Sequence, residues 1–186
     1  MRVIAGSARG RRLIAPHRSK RRGHSLVRPT SDLVRGAIFS ALASLGADLS
    51  RVLDLYAGSG ALGIEAISRG ADWCDFVEQD RATCETIHQN LRVTGFEDRA
   101  RVYAISAARA LSELSGPYAV VLADPPYEDK AALRVLEALS GKGLAQPGKT
   151  VLVLEHSSRT ETSSEIGGLA LINRRRHGDS AVSIYR

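Results

Sequence analysis

The sequence predicts an α/β domain in which a mostly parallel sheet is covered by helices on both faces and ends in an antiparallel hairpin. Three observations carry this. Short, almost wholly apolar runs alternate with helical patterns from Arg51 to Leu154, as buried parallel strands separated by crossover helices do. A glycine-rich turn, Gly58 to Gly63, joins the first such run to the first such helix. Between Leu169 and Tyr185, two strand-like runs flank His177-Gly178-Asp179-Ser180, a hairpin signal.

The elements follow in order. Val3-Ile4 and Leu13-Ile14 bracket a glycine-containing stretch and read as a small hairpin. Residues 16–27 are basic and polar, and read as a loop. Pro29-Thr30-Ser31-Asp32 is a helix start, with Thr30 or Ser31 able to cap and Asp32 suited to the first turn. Val34, Ala37, Ile38, Ala41, Leu42 and Leu45 follow at helical spacing, and Gly46 ends the helix. Strands are expected at 52–56, 73–77, 102–105, 118–123 and 151–154. Helices are expected at 61–69, 80–94, from 106 to Leu114, and 131–139. The organisation expected is a basic extension over residues 1–30 and one catalytic domain over 31–186.

The bulk properties exclude several classes. At 186 residues, with 44% hydrophobic and 25% charged residues, the chain can bury a core without staples. Cys74 and Cys84 fit neither a disulfide framework nor a metal knuckle. The five histidines show no mutual ligand spacing, so no metal is expected. No apolar run approaches membrane-spanning length, so a cytoplasmic protein with no membrane partner is expected. Charge is divided unevenly. Residues 1–35 carry a net +9, and the remainder −3. A basic end on a mildly acidic body is the footprint of a polyanion partner, or else a solvated tail.

Gly58-Ser59-Gly60-Ala61-Leu62-Gly63 fits G-x-G-x-x-G between a strand and a helix, and Glu78 follows at the end of the next strand. Glycines let the backbone turn tightly and approach a ligand, and such an acid holds ribose hydroxyls. The pattern alone serves a dinucleotide or S-adenosylmethionine. Asp54 favours the second. A carboxylate near the loop suits a cationic ligand and would repel a pyrophosphate at the helix N-terminus.

Asp124-Pro125-Pro126-Tyr127 follows the fourth strand, where open α/β sheets bind ligands. Two prolines fix the backbone and remove two N–H donors. The Asp124 carboxylate and Pro125 carbonyl remain as acceptors beside an aromatic ring. Such a set suits a planar substrate carrying an NH₂ group, with Tyr127 stacking on it. A rigid turn is the plainer reading of the tetrapeptide taken alone.

These motifs are together recognisable. Arg28-Pro-Thr-Ser-Asp-Leu-Val-Arg35, Leu53-Asp-Leu-Tyr-Ala-Gly-Ser-Gly-Ala-Leu-Gly63, Phe76-Val-Glu78 and Asp124-Pro-Pro-Tyr127 resemble the bacterial 16S ribosomal RNA guanine-N2 methyltransferases of the RsmD type, nearly end to end. The resemblance implies a Rossmann-like class I methyltransferase fold, with a seven-stranded, mostly parallel sheet and a C-terminal antiparallel hairpin. It also implies methyl transfer from S-adenosylmethionine to N2 of one guanine in 16S RNA, in a small ribosomal subunit or an assembly intermediate. A monomer is expected. The Asp-Pro-Pro-Tyr type of motif is shared with adenine-N6 methyltransferases, so that activity is an alternative. A non-catalytic RNA-binding assembly factor is another. A nicotinamide-dependent oxidoreductase would leave Asp-Pro-Pro-Tyr and the basic arm unexplained.

The expected catalytic residues are Asp124, Pro125, Pro126 and Tyr127. The expected cofactor site comprises Asp54, Tyr56, Ala57, Gly58, Ser59, Gly60, Glu78, Gln79, Ser106, Ala107 and Asp124. Ser106 departs from the family, where Asp or Asn often contacts adenine; its hydroxyl or the Ala107 N–H is the expected substitute. Gly36 and Ser40 are two further departures. Phosphate contacts are expected from Arg9, Arg11, Arg12, Arg18, Lys20, Arg21, Arg22 and Arg28. Arg174-Arg175-Arg176 either extends the basic face or is a solvated strand edge. Cys84, beside Ile87 and Leu91, reads as core.

Overall fold

The computed structural model describes residues 1–15, 32–126, 129 and 131–186. These residues form five α-helices, one 3₁₀ turn (Glu97–Arg99) and eight strands, and helices and strands alternate as far as the fifth strand. Helix α1 spans Asp32–Ser44, followed by β1 (Arg51–Leu55), α2 (Ala61–Ser68), β2 (Trp73–Val77) and α3 (Arg81–Thr94). Strand β3 (Ala100–Tyr103), α4 (Ala107–Glu113), β4 (Val120–Ala123), α5 (Ala132–Gly141) and β5 (Val151–Ser157) complete the alternation. Then come β6 (Glu165–Ile166), β7 (Leu169–His177) and β8 (Ser180–Tyr185).

All strands form one sheet in the order β3-β2-β1-β4-β5-β8-β7-β6. Strands β1 to β5 are mutually parallel, and β8, β7 and β6 join antiparallel. This is a Rossmann-like α/β fold, with one strand more than the seven expected. The extra strand is β6, whose two residues pair only with Leu169 and Ala170. Strand order reverses between β1 and β4, which creates the crevice where such sheets bind ligands.

The two sheet faces carry separate cores. One packs Val52, Phe76, Val120, Val153 and Val182 against α1, α2 and α3. The other packs Leu53, Val77, Val121 and Leu152 against α4 and α5. Alternate residues of each strand face opposite sides, so strands buried twice read as continuous apolar runs. Strand β2 matches the expected 73–77 although Asp75 interrupts its apolar run, and β4 starts two residues later than expected, at Val120. Strand β3 lies two residues earlier than expected, and Ala104 and Ile105 link it to Ser106, which caps α4 by accepting from the Arg109 N–H at 3.3 Å. Strand β5 runs three residues past its apolar stretch. Buried His156 bonds the Ser183 hydroxyl at 2.9 Å and so pays no penalty for an unmatched polar group.

The N-terminal residues form the expected hairpin, with Arg2 bridged to Arg12. It does not stand apart from the domain, since Val3, Ala8 and Leu13 belong to the first core. The hairpin lies along α2. Glu65 of α2 accepts the N–H groups of Ile4 at 2.8 Å and Ala5 at 3.0 Å, and the Arg69 guanidinium at 2.7 Å. Arg35 of α1, wholly buried, reaches Glu65 at 3.7 Å and donates to the Arg2 carbonyl and to Asp32. The last arginine of the Arg28–Arg35 signature is thus a fastener between α1, the hairpin and α2. Thr30 and Ser31, expected to cap α1, lie outside the described residues.

Candidate active site at the carboxyl end of the sheet

Strand β1 delivers the first site residues. Asp54 is 1% exposed and faces α2, where one carboxylate oxygen accepts the Gly63 N–H at 2.8 Å. Gly63 itself admits no side chain, since a Cβ there would lie 2.3 Å from the Phe76 ring. Tyr56 follows with a φ of 72°, the left-handed region. A bulky residue there stores strain, a recurrent mark of functional sites. The turn sends its ring to the α4–α5 face, beside the same core as Leu55. Its hydroxyl is buried with no hydrogen-bond partner among the described residues. Burial, then the charge of Asp129, raises its pKa.

The glycine loop then turns through Gly58 and Gly60, with φ of 54° and 77°. A Cβ on Gly58 would meet nothing within 4 Å. The conformation demands glycine there, and the space beyond is open. Glu78, just past β2, holds this turn from outside. One oxygen accepts the Gly58 N–H at 3.0 Å and the other the Asp80 N–H at 2.9 Å. Each oxygen keeps a further lone pair for a ligand. Behind the loop, Asn90 of α3 donates to the carbonyls of Ser59 at 2.9 Å and Ile14 at 3.0 Å, and accepts the Ile14 N–H at 2.7 Å. The hairpin therefore buttresses the glycine loop.

Asp124 comes from the neighbouring strand. Leu55 of β1 pairs with Ala123 of β4, so Tyr56 and Asp124 leave the sheet side by side. Pro125 is buried and Pro126 exposed. The Pro126 carbonyl accepts the Asp129 N–H at 2.9 Å, turning the chain towards α5. Three carboxylates, Asp54, Glu78 and Asp124, thus gather at one end of three adjacent strands. Burial pushes the Asp54 pKa from 3.8 up to about 8, with the Gly63 N–H opposing and the Asp124 and Glu78 charges adding. The charges of Glu78 and Asp124 beside a left-handed glycine turn favour a cation and disfavour a pyrophosphate.

The remaining expected residues distribute unevenly. Ala57 is buried in the loop, and its N–H bonds the Val77 carbonyl at 2.9 Å. Gln79 is exposed beside Glu78. Ser106 and Ala107 stand after β3, two strands from β1, at the start of α4. The Ser106 hydroxyl is engaged in capping, which leaves the Ala107 N–H as the donor nearest to the role expected of the pair. Arg9, Arg11 and Arg12 are exposed. The hairpin tip lies at the far end of α2, where the Ser7 N–H reaches the Ser68 carbonyl at 2.8 Å. At 1.5 Å per residue, that is about 12 Å along the helix from the glycine loop. Tyr127, Arg18, Lys20, Arg21, Arg22 and Arg28 lie outside the described residues.

Three polar residues were missed from sequence. Asn90 and Glu65 sit on buried helix faces, and an isolated polar residue in an apolar stripe was the available signal. Asp75 of β2 is 2% exposed and accepts from the Tyr118 hydroxyl at 2.7 Å and the Trp73 indole at 2.8 Å. It is a structural anchor in the sheet. Cys74 and Cys84 are buried and free, and burial raises both thiols, Cys84 to about 11. Among the described residues no cluster of His, Cys, Asp and Glu could hold a metal ion, and no helix is long and apolar enough to cross a membrane.

The family model described as "Conserved hypothetical protein 95" matches residues 1–186. The chain belongs to that family. It is 34% identical over 189 residues to a Bacillus subtilis protein named "Putative rRNA methyltransferase YlbH", covering all of this chain and 98% of that one. It is 36% identical over 143 residues to the Escherichia coli protein named "Ribosomal RNA small subunit methyltransferase D", covering 77% of this chain and 68% of the other. Among solved structures, "Putative methyltransferase yhhF from Escherichia coli" superposes with a TM-score of 0.83 at 31% identity, covering 100% and 96% of the two chains.

Proposed function

We propose that this chain is a monomeric, cytoplasmic S-adenosylmethionine-dependent methyltransferase acting on the exocyclic N2 amine of a guanine in 16S ribosomal RNA, within the small subunit or an intermediate of its assembly. The observation that carries this is the set of three carboxylates around the left-handed glycine turn, with Asp124-Pro125-Pro126 on the adjoining strand. The names and identities of the relatives support the same reaction class and substrate.

The residues present fit the cofactor. The turn at Gly58 offers backbone against open space, Glu78 offers ribose acceptors, and Gln79 and Ala107 border the place expected for adenine. Asp54 sets the loop's position through Gly63, and Glu78 and Asp124 carry the negative charge that suits a cationic ligand. Bound there, S-adenosylmethionine supplies a methyl group on a positively charged sulfur. Asp124 and the Pro125 carbonyl accept hydrogen bonds from the guanine amine. They raise electron density on its nitrogen and aim it at the methyl. Tyr127 stacks on the base. The rate gain is mostly orientation and preorganised electrostatics. A base within a stem must first leave its stack.

Thermal shift with S-adenosylmethionine and with NAD tests the cofactor, since a ligand of the native state raises the melting temperature. The expected result is a shift with the first alone. A shift with NAD alone would replace this reading by an oxidoreductase.

A further inference from the structure

We propose that the arginine run Arg174–Arg176 on β7 is a second RNA-docking surface, gripping the sugar-phosphate backbone beside the base presented to Asp124. This rests on RNA being the substrate.

Topology places the run at the site's own end of the sheet. Arg175 pairs with Val182, and Val182 pairs with Glu155. Glu155 follows Leu154, the partner of Ala123, and Asp124 follows Ala123. Arg175 is therefore level with Asp124, three strands away. At about 4.8 Å per strand the separation is about 14 Å, a reach spanned by a few nucleotides.

All three arginines are exposed. Strand β6 covers β7 only at Leu169 and Ala170, so from Ile172 onward the outer edge carries no paired strand among the described residues. The guanidinium groups are held in place without being consumed. Arg174 donates to the Thr160 carbonyl at 2.9 Å, Arg176 donates to the Gly178 carbonyl at 3.0 Å, and Arg175 borders the seam between β7 and α1. A guanidinium has five N–H donors, so each keeps most of its donors for phosphate oxygens. Arg174 and Arg176 lie on one sheet face and Arg175 on the other, so the run grips from both sides of the edge. Charge complementarity names a polyanion, and the distance to Asp124 makes it the backbone of the same RNA.

Edge arginines also deter strand addition between copies, and the test separates the two roles. Arg174→Gln, Arg175→Gln and Arg176→Gln are combined, with binding to a labelled 16S RNA fragment followed by anisotropy between about 50 and 200 mM salt. A charge-matched control replaces Arg92, Lys142 and Lys149 with Gln. These exposed residues lie at the opposite end of the sheet. The expected result is roughly tenfold weaker binding and a salt slope lower by about two units for the β7 variant. The control should lose much less, and S-adenosylmethionine affinity by calorimetry should not move. Equal losses in the two variants, or an unchanged β7 variant that self-associates, would overturn the proposal. If the triple variant melts early, Arg174→Gln with Arg176→Gln spares the residue packed at α1 and must show the same direction. Wild-type protein that binds no RNA would instead overturn the proposed substrate.

Discussion

Asp124 is the residue on which the proposed chemistry turns. Charge develops on the amine nitrogen as the methyl moves, so an ionised acceptor there helps the transition state more than the ground state. Asp124→Asn keeps the shape, loses the charge and can present a donor to the amine. Single-turnover methylation at saturating cofactor and RNA should slow by about 10²–10³-fold, with cofactor affinity little changed. A near-wild-type rate would make Asp-Pro-Pro a structural turn. Asp54 acts one layer deeper, and pH reports it. Its carboxyl titrates near 3.8 when unfolded and at about 8 when buried. Between those values the folded state holds more protons, so this group's contribution to stability is full below the lower value and is lost as pH rises through the higher. Asp54→Asn keeps an acceptor for Gly63 and does not titrate. Its melting temperature should gain on the wild type as pH rises from about 6 to about 9. A constant difference across that range would contradict the assignment. The motifs made these two acids legible in sequence. Partnerships such as that of Arg35 with Glu65 were not, because they join α1 to α2 across the packed domain and follow no sequence spacing.

At the scale of elements, the N-terminal hairpin fastens the domain with one set of residues, and we propose that another set meets RNA. Its backbone and apolar side chains fasten to α2 and α3, and its arginines face water. Glu65 is the hub of the fastening, with two backbone N–H groups and two guanidiniums about one buried carboxylate. Glu65→Ala would leave the buried Arg35 with only the half-exposed Asp32 as counter-charge. The expected loss is about 3–5 kcal/mol, measured by urea denaturation. A loss below about 1 kcal/mol, the scale of an exposed pair, would show that the network relaxes freely. Neutralising Arg9, Arg11 and Arg12 together tests the other job. RNA affinity should fall and its salt slope flatten by roughly one unit per lost phosphate contact, while S-adenosylmethionine affinity holds. Wild-type RNA affinity and slope would make these arginines a solvated face. Element boundaries were read well where apolar periodicity decided them, as in α3 with Asp80 capping and Gly95 closing it in the left-handed region. They slipped where polar residues were satisfied by tertiary partners, as at the end of β5. Strand β6 has two residues and no pattern of its own, so nothing local announced it.

For the whole molecule, the fold explains why one end of the sheet is the chemical end. Parallel strands β1, β2 and β4 deliver Asp54, Glu78 and Asp124 to the crevice where strand order reverses. The antiparallel β5–β8–β7 extension carries a basic edge to the same level. An acidic pocket for a cationic cofactor is thus flanked by basic surface suited to a polyanion. Sequence gave the charges and the motifs, but only the register places Arg175 level with Asp124. The most direct test is nucleoside mass spectrometry of 16S RNA after purified protein and S-adenosylmethionine act on small subunits that lack the modification. The account predicts one N2-methylguanosine per RNA, formed about 10²–10³-fold more slowly with Asp124→Asn. N6-methyladenosine in its place, or no methylated nucleoside from protein that binds S-adenosylmethionine and RNA, would contradict it.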